Sequence, residues 1–181
     1  MDFVKAQGLR LTNKAGASVP PADLSGKVVA LYFSAHWCPP CKGFTPLLKA
    51  FYEEVRKSGD PFEIIFLSRD KSEAEGRAYF EDAHGDWLMA DLSQSAAVME
   101  KYGVKGIPTL IVIDGAGKAV DPDAREKVAS AAQSGSKGAK DAYAEWAKSA
   151  SDWRQTAGTS LGGGVAASGA DAMRAARLAR L

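Results

Sequence analysis

The only two cysteines of the chain, Cys38 and Cys41, stand three positions apart in Phe33-Ser34-Ala35-His36-Trp37-Cys38-Pro39-Pro40-Cys41-Lys42. A thiol pair at this spacing can exchange dithiol for disulfide. One sulfur takes a helix N-cap and the other the first turn, close enough to form an easily reduced bridge. The apolar run Val28-Val29-Ala30-Leu31-Tyr32-Phe33 leads in as a strand, and an amphipathic stretch leads out as a helix. That setting makes Cys-x-x-Cys read as a redox pair. At the N-cap, Cys38 faces the positive end of the helix dipole, which favours the thiolate, the nucleophile of exchange. Pro39 and Pro40 carry no N–H, so the first backbone donor available to that thiolate is Cys41. Pro39 suits the first helical position. These residues predict a stiff turn and moderate stabilisation of the Cys38 thiolate. Cys38 would attack a substrate disulfide, and the more buried Cys41 would resolve the mixed disulfide.

Other chemistries fit less well. A zinc site needs about four ligands. Cys38, Cys41 and His36 make three, and His84 is distant in sequence. No metal and no cofactor are expected. A purely structural bridge closing so short a loop would constrain the unfolded chain little. A second element accompanies the cysteines: Gly106-Ile107-Pro108-Thr109-Leu110 opens the apolar run Leu110-Ile111-Val112-Ile113. Proline is acceptable as the first residue of a strand. A cis bond at Ile107–Pro108 would turn the chain sharply and leave its backbone exposed.

These residues resemble the tryparedoxin and nucleoredoxin branch of the thioredoxin superfamily. The likeness is carried by Leu24-Ser25-Gly26-Lys27, Tyr32-Phe33-Ser34-Ala35, Trp37-Cys38-Pro39-Pro40-Cys41, Gly43-Phe44-Thr45-Pro46, Phe51-Tyr52-Glu53 and Gly106-Ile107-Pro108-Thr109-Leu110, and covers residues 3–126. It implies an α/β thioredoxin-like fold, a central mixed β-sheet with helices on both faces. It implies Cys38 as nucleophile, Cys41 as resolving thiol and Pro108 as a cis-proline facing them, with Trp37, Pro39, Pro40, Ile107 and Pro108 contacting substrate. Tyr32 stands where ordinary thioredoxins carry a buried aspartate. Two departures are visible. Lys42 occupies a position where this branch often has arginine, and the branch's Phe-Pro-Trp near the end of the core is missing, with Trp146 its nearest counterpart.

The remaining sequence supplies the elements that position the pair. Residues 1–27 read as a short strand or hairpin and a loop. After Cys41, Phe44, Leu47, Leu48, Phe51, Tyr52 and Val55 recur at one helix face, and Pro46 within that pattern should kink the helix. Phe62-Glu63-Ile64-Ile65-Phe66-Leu67 reads as a buried strand. Ser72 and Glu75 form a capping box for a helix to about Ala83, with Tyr79 and Phe80 packing. Asp70 is either a polar group that assists proton transfer or a turn carboxylate. His84, in Ala83-His84-Gly85-Asp86, reads as an exposed loop histidine, and Trp87-Leu88-Met89 as core. A short helix over residues 93–102, a strand from Pro108 to Asp114, a short last strand and a helix from about Ala124 to Ala132 complete a sheet covered on both faces.

Past Gln133 the composition shifts. Ser134-Gly135-Ser136-Lys137-Gly138 reads as a linker. Residues 141–154 form a helix whose Tyr143, Trp146, Ala150 and Trp153 make a narrow apolar seam, expected to dock on the chain's own core. Residues 156–169 are Gly/Ser/Ala-rich and expected to be flexible. The chain thus divides into a thioredoxin-like domain (1–132), a linker and C-terminal helix (133–155) and a Gly/Ala-rich tail with a short basic helix (156–181).

A formal net charge of +1 gives no bulk argument for nucleic acid or membrane. No signal peptide is expected, and no apolar run reaches the roughly 18 residues needed for a membrane span. Two cysteines as a Cys-x-x-Cys then suit a reducing, cytoplasmic compartment. The C-terminal Ala179-Arg180-Leu181 resembles a Ser-Lys-Leu-type peroxisomal address, and a nuclear location stays open. The expected partners are disulfide-containing proteins and a thiol reductant or reductase. The expected activity is protein-disulfide reduction; the alternative is a redox-sensitive binding or scaffold module with little turnover.

Overall fold

The structure, a computed structural model, describes residues 2–159, with side chains over residues 2–150. The side chain of Trp153 and residues 160–181, which include Ala179-Arg180-Leu181, lie outside the described residues.

Alternating burial of two sets of side chains builds the molecule. In β3 (Val28–Ser34) every residue is buried. Val28, Ala30 and Tyr32 enter one apolar layer, and Val29, Leu31 and Phe33 enter the other, as the period of two along a strand requires. Strand β4 (Phe62–Ser68) divides in the same way, with Phe62, Ile64 and Phe66 facing one layer and Ile65 and Leu67 the other. Such continuous apolar runs are the mark of strands covered on both faces.

Around this pair, the order of strands is β2 (Ser18–Val19), β1 (Leu11–Thr12), β5 (Leu88–Ala90), β4, β3, β6 (Thr109–Ile113) and β7 (Ala119–Asp121). Strands β3, β4 and β5 run parallel to one another. The β1–β5, β3–β6 and β6–β7 pairs are antiparallel, so the sheet is mixed. One face is covered by α2 (Pro39–Lys57), α3 (Glu73–Ala83) and α5 (Ala124–Thr159). The other is covered by α1 (Asp2–Ala6) and α4 (Leu92–Lys101).

Several local expectations are met and others are corrected. Ser72 caps α3 by accepting the Glu75 N–H at 3.2 Å. The Glu75 carboxylate reaches back to the Lys71 N–H at 3.1 Å. Pro46 neither ends nor splits α2, which runs on for 19 residues. Leu47 lies at the border of the apolar stripe and stays 40% exposed over a gap between α2 and α5. At the N-terminus, where a strand or loop was expected, residues 2–6 are helical. Phe3 and Val4 dock into the second core layer, and the Asp2 N–H donates to the Gly115 carbonyl at 3.0 Å. This is tertiary support that local propensity cannot reveal.

The linker expected at residues 134–138 shrinks to a single break. The chain is helical on both sides of Gly135, which alone takes non-helical angles of φ 59° and ψ −146°. Glycine has no Cβ to oppose a positive φ. The chain bends there and continues, with Ala131 and Ala139 buried on either side. The helix after the bend carries the seam onto the core. Trp146 stacks on Phe62 at 5.9 Å and packs against Phe51 at 5.5 Å. Its indole N–H donates to Asp121 at 2.8 Å. Tyr143 lies edge-on to Phe62, and Ala150 is buried. Burying such an aromatic is worth roughly 1.5–3 kcal/mol on an area basis.

The reading of His84 as an exposed loop residue is overturned. It is fully buried. Its ring is caged by Phe66 at 4.1 Å, Tyr79 at 4.6 Å, Trp87 at 5.4 Å, Phe80 at 5.6 Å and Tyr32 at 5.7 Å. The Gly85-Asp86 turn that suggested solvent instead folds His84 back under α3, where its backbone N–H caps the Phe80 carbonyl. Neither ring nitrogen has a hydrogen-bond partner among the described residues.

Candidate redox site

The buried strand β3 ends at Ser34, and α2 begins five residues later at Pro39. This sharp passage delivers Cys38 to the N-cap position of α2. The two sulfurs are joined as the Cys38–Cys41 disulfide, with the Cα atoms 5.2 Å apart. The Cys41 N–H donates to Cys38 Sγ at 3.3 Å, the donor that the two N–H-less prolines leave available. Cys38 is 3% exposed and Cys41 fully buried. The bond between Ile107 and Pro108 is cis. The Ile107 carbonyl oxygen lies 3.8 Å from Cys38 Sγ, so the loop before β6 faces the disulfide. Ile107 also packs on the small cluster of Ala35, Cys38 and Cys41.

The surface around the sulfurs is uneven. Trp37 is 58% exposed, yet its indole N–H donates to the Arg69 carbonyl at 3.1 Å. That bond fixes a large flat ring beside Cys38. Pro39 and Pro40 are exposed on the first turn of α2. Thus Trp37, Pro39, Pro40, Ile107 and Pro108 surround one disulfide, although Pro108 itself is buried.

Asp70 makes the contacts of a turn carboxylate at the end of β4. It is buried; one oxygen accepts the His36 N–H at 2.9 Å and the other the Ser68 hydroxyl at 2.9 Å. It therefore ties the end of β4 to the loop that carries His36 and Trp37 towards Cys38. The His36 ring lies over Tyr79 at 5.4 Å.

Beneath the disulfide is a hydroxyl cluster that sequence reading missed. The Tyr32 and Tyr79 hydroxyls each lie 2.8 Å from Thr45 Oγ1, which itself donates to the Cys41 carbonyl at 2.9 Å. Ser34 Oγ stands 3.4 Å from the Tyr79 hydroxyl. Burial pushes the Tyr32 phenol up to about 12, against the smaller opposing effect of its hydrogen bonds to Ser34 and Thr45. The neutral hydroxyl is thereby kept as a donor in the cluster. Tyr32 was singled out at the aspartate position, but its partners come from α2 and α3 and have no common spacing in the sequence. A further residue that the sequence did not point to is Arg125, whose guanidinium donates to the Pro108 carbonyl at 3.4 Å. Among the described residues, no group of three or more His, Cys, Asp or Glu side chains is placed to hold a metal ion. No helix among them is long and apolar enough to cross a membrane.

Comparison with known proteins agrees with this geometry. Residues 26–119, just over half of the chain, match the family described as Thioredoxin-like. Nucleoredoxin from Mus musculus is 39% identical over 121 residues, which is 65% of this chain but 27% of that protein. The chain therefore spans about a quarter of the length of the curated relatives it matches. The crystal structure of thioredoxin from Wuchereria bancrofti aligns with a TM-score of 0.64 at 45% identity, covering 67% of this chain and 86% of that one. Tryparedoxin I from Leishmania major aligns with a TM-score of 0.64 at 37% identity, covering 74% of this chain and 94% of its own. The match over residues 26–119 and the likeness to these proteins show the family: the chain belongs to the thioredoxin-like family, as a tryparedoxin- and nucleoredoxin-like member of the thioredoxin superfamily.

Proposed function

We propose that this protein is a thiol–disulfide oxidoreductase that reduces disulfides in other proteins. The observation that carries the reading is the Cys38–Cys41 disulfide at the start of α2, with the Cys41 N–H on Cys38 Sγ and Ile107-Pro108 facing it. In the reduced state Cys38 is the nucleophile. Its thiolate attacks one sulfur of the substrate disulfide and forms a mixed disulfide, expelling the other substrate sulfur as a thiolate. Cys41 then gives up its proton and attacks Cys38 Sγ, releasing the second substrate thiol and closing the bridge seen here. Two electrons pass to the substrate in each cycle; the proton from Cys41 and one from solvent protonate the two released sulfurs. Trp37, Pro39, Pro40, Ile107 and Pro108 form the surface that meets the substrate.

The cycle closes when an external thiol reductant opens the Cys38–Cys41 bridge. A low-molecular-weight dithiol, glutathione and a thioredoxin reductase are the three donor classes to compare. A cytoplasmic or nuclear setting suits this chemistry, because a reducing compartment keeps the dithiol supplied with electrons. The decisive experiment is insulin reduction by the full chain with a dithiol regenerant. Turnover that disappears in Cys38→Ser is expected. Capture of partners that survives Cys38→Ser, without turnover in the wild type, would replace the reductase by a binding module.

A further inference from the structure

The loop that carries His36 and Trp37 to Cys38 is gripped by Arg69 and Asp70. The Arg69 N–H donates to the Ser34 carbonyl at 2.9 Å, and the Arg69 carbonyl accepts the Trp37 indole N–H at 3.1 Å. One Asp70 oxygen accepts the His36 N–H at 2.9 Å. The other takes the Ser68 hydroxyl at 2.9 Å, and the Asp70 N–H donates back to the same Ser68 Oγ at 3.0 Å. Ser68 is fully buried, so one hydroxyl, bonded twice, orients the carboxylate. Gly76, buried on α3, lies against that hydroxyl. A Cβ added at Gly76 would stand 2.7 Å from Ser68 Oγ, 3.1 Å from Ser68 Cβ and 3.3 Å from the terminal methyl of Met89. Glycine is unfavourable inside a helix, and Gly76 is not among the glycines with positive φ. What the position requires is the space that Ser68 fills.

We propose that Ser68 and Gly76 are positioning residues of the redox site: the chain of contacts from Gly76 through Ser68 and Asp70 to the His36 N–H fixes the loop that presents Trp37 beside Cys38. Ser68 acts through Asp70, and Gly76 acts through Ser68. Exchange needs the substrate disulfide in line with Cys38 Sγ, and a small displacement of the groups that orient it costs rate. The cost falls on a peptide or protein substrate, which meets Trp37 as well as Cys38. A small disulfide, which needs Cys38 alone, is spared. The effect on rate rests on the reductase reading above; the chain of contacts does not.

The test compares the full chain with Ser68→Ala, Gly76→Ala and the double variant. Amide hydrogen exchange followed by NMR reads the His36 N–H directly. In Ser68→Ala it is expected to exchange about tenfold faster, while the amides of β3 keep their protection. Single-turnover rates are then measured with pre-reduced protein, freed of reductant. Reduction of a peptide with one internal disulfide should slow about three- to tenfold, and that of a small symmetrical aromatic disulfide should stay within about twofold. Gly76→Ala should reproduce both effects by pushing the Ser68 hydroxyl away. The double variant should be no slower than Ser68→Ala, because the hydroxyl through which the added methyl acts is gone. An unchanged His36 exchange or an unchanged peptide rate in Ser68→Ala would overturn the proposal. So would equal losses on the two disulfides, or a Gly76→Ala loss that is as large in the Ser68→Ala background as in the wild type. Ser68→Ala decides by itself where Gly76→Ala does not fold. Wild-type protein that reduces neither disulfide would overturn the reductase reading and the rate effect with it, while His36 exchange would still decide the chain of contacts.

Discussion

The backbone N–H of Cys41 points at Sγ of Cys38 from 3.3 Å, the usual bond from the third helical residue to an N-cap, and the two prolines between them offer no competing N–H. In the reduced protein the same donor faces the Cys38 thiolate, at the positive end of α2. Cys41, fully buried one turn on, has no equivalent position. Cys41→Ser should therefore trap a mixed disulfide with substrate, visible as a mass adduct that dithiothreitol removes. Cys38→Ser should trap none. Trapping by Cys38→Ser would exchange the two roles.

The hydroxyl cluster below the disulfide predicts a different kind of loss. Thr45 holds three partners at once: Tyr32, Tyr79 and the Cys41 carbonyl. Thr45→Val keeps the volume but leaves buried hydroxyls without their partner, a cost of about 1–3 kcal/mol. Adding Tyr32→Phe removes one of the orphaned groups. The double variant should therefore lose less than the sum of the single variants, as a double-mutant cycle in urea would show. Strict additivity would mean that the cluster is not energetically coupled.

His84 makes acid stability a test of the cage around it. Burial first, and the Lys14 charge second, lower its imidazole from the ordinary 6.5 to about 3. The unfolded chain therefore binds a proton that the folded chain refuses throughout that interval. The stability from keeping His84 neutral is complete above pH 6.5. It is lost as the pH falls from there towards 3, at up to about 1.4 kcal/mol per pH unit. Replacing His84 with Leu should flatten the fall. Unfolding free energies of both proteins at pH 7, 6, 5 and 4 would read the difference, since the carboxylates common to both cancel. Parallel pH profiles would contradict a neutral buried imidazole.

Docking of the helix after Gly135 predicts that Trp146→Ala is costly although it lies outside the redox site. The substitution empties a space against Phe51 and Phe62 and deprives Asp121 of its indole donor. The expected loss is about 3–5 kcal/mol. Thermal melting would show it, while single-turnover exchange at a temperature where the variant stays folded should be retained. A melting temperature equal to that of the wild type would place the indole elsewhere.

Much of this arrangement was legible before folding, for a local reason. The Cys38–Cys41 spacing, the prolines between them and the N-cap of α2 involve neighbours in the chain, so residue type and order define their geometry. The strand β3, the capping box at Ser72 and the start of α5 at Ala124 follow in the same way from period and punctuation. The readings that failed depended on partners from elsewhere. His84 read as exposed because Gly85-Asp86 follows it, but its burial is decided by rings from β3, β4, α3 and the segment holding Trp87. Residues 134–138 read as a linker because of their glycines and serines. Packing of Ala131 and Ala139 beside α2 keeps the chain helical to either side, and only Gly135 departs from the helix.

The sequence by itself determined that this protein carries a redox cysteine pair on a strand-to-helix turn, and which of the two sulfurs the helix terminus faces. Only the tertiary structure decided the rest of what surrounds the pair: the Thr45 hydroxyl cluster beneath, Asp70 behind the loop, and Arg125 on the Pro108 carbonyl. Those groups lie tens of residues apart in the chain. No periodicity links them, and it is the pairing of β3 with β4 and β6, and the burial of both sheet faces, that brings them within hydrogen-bonding distance.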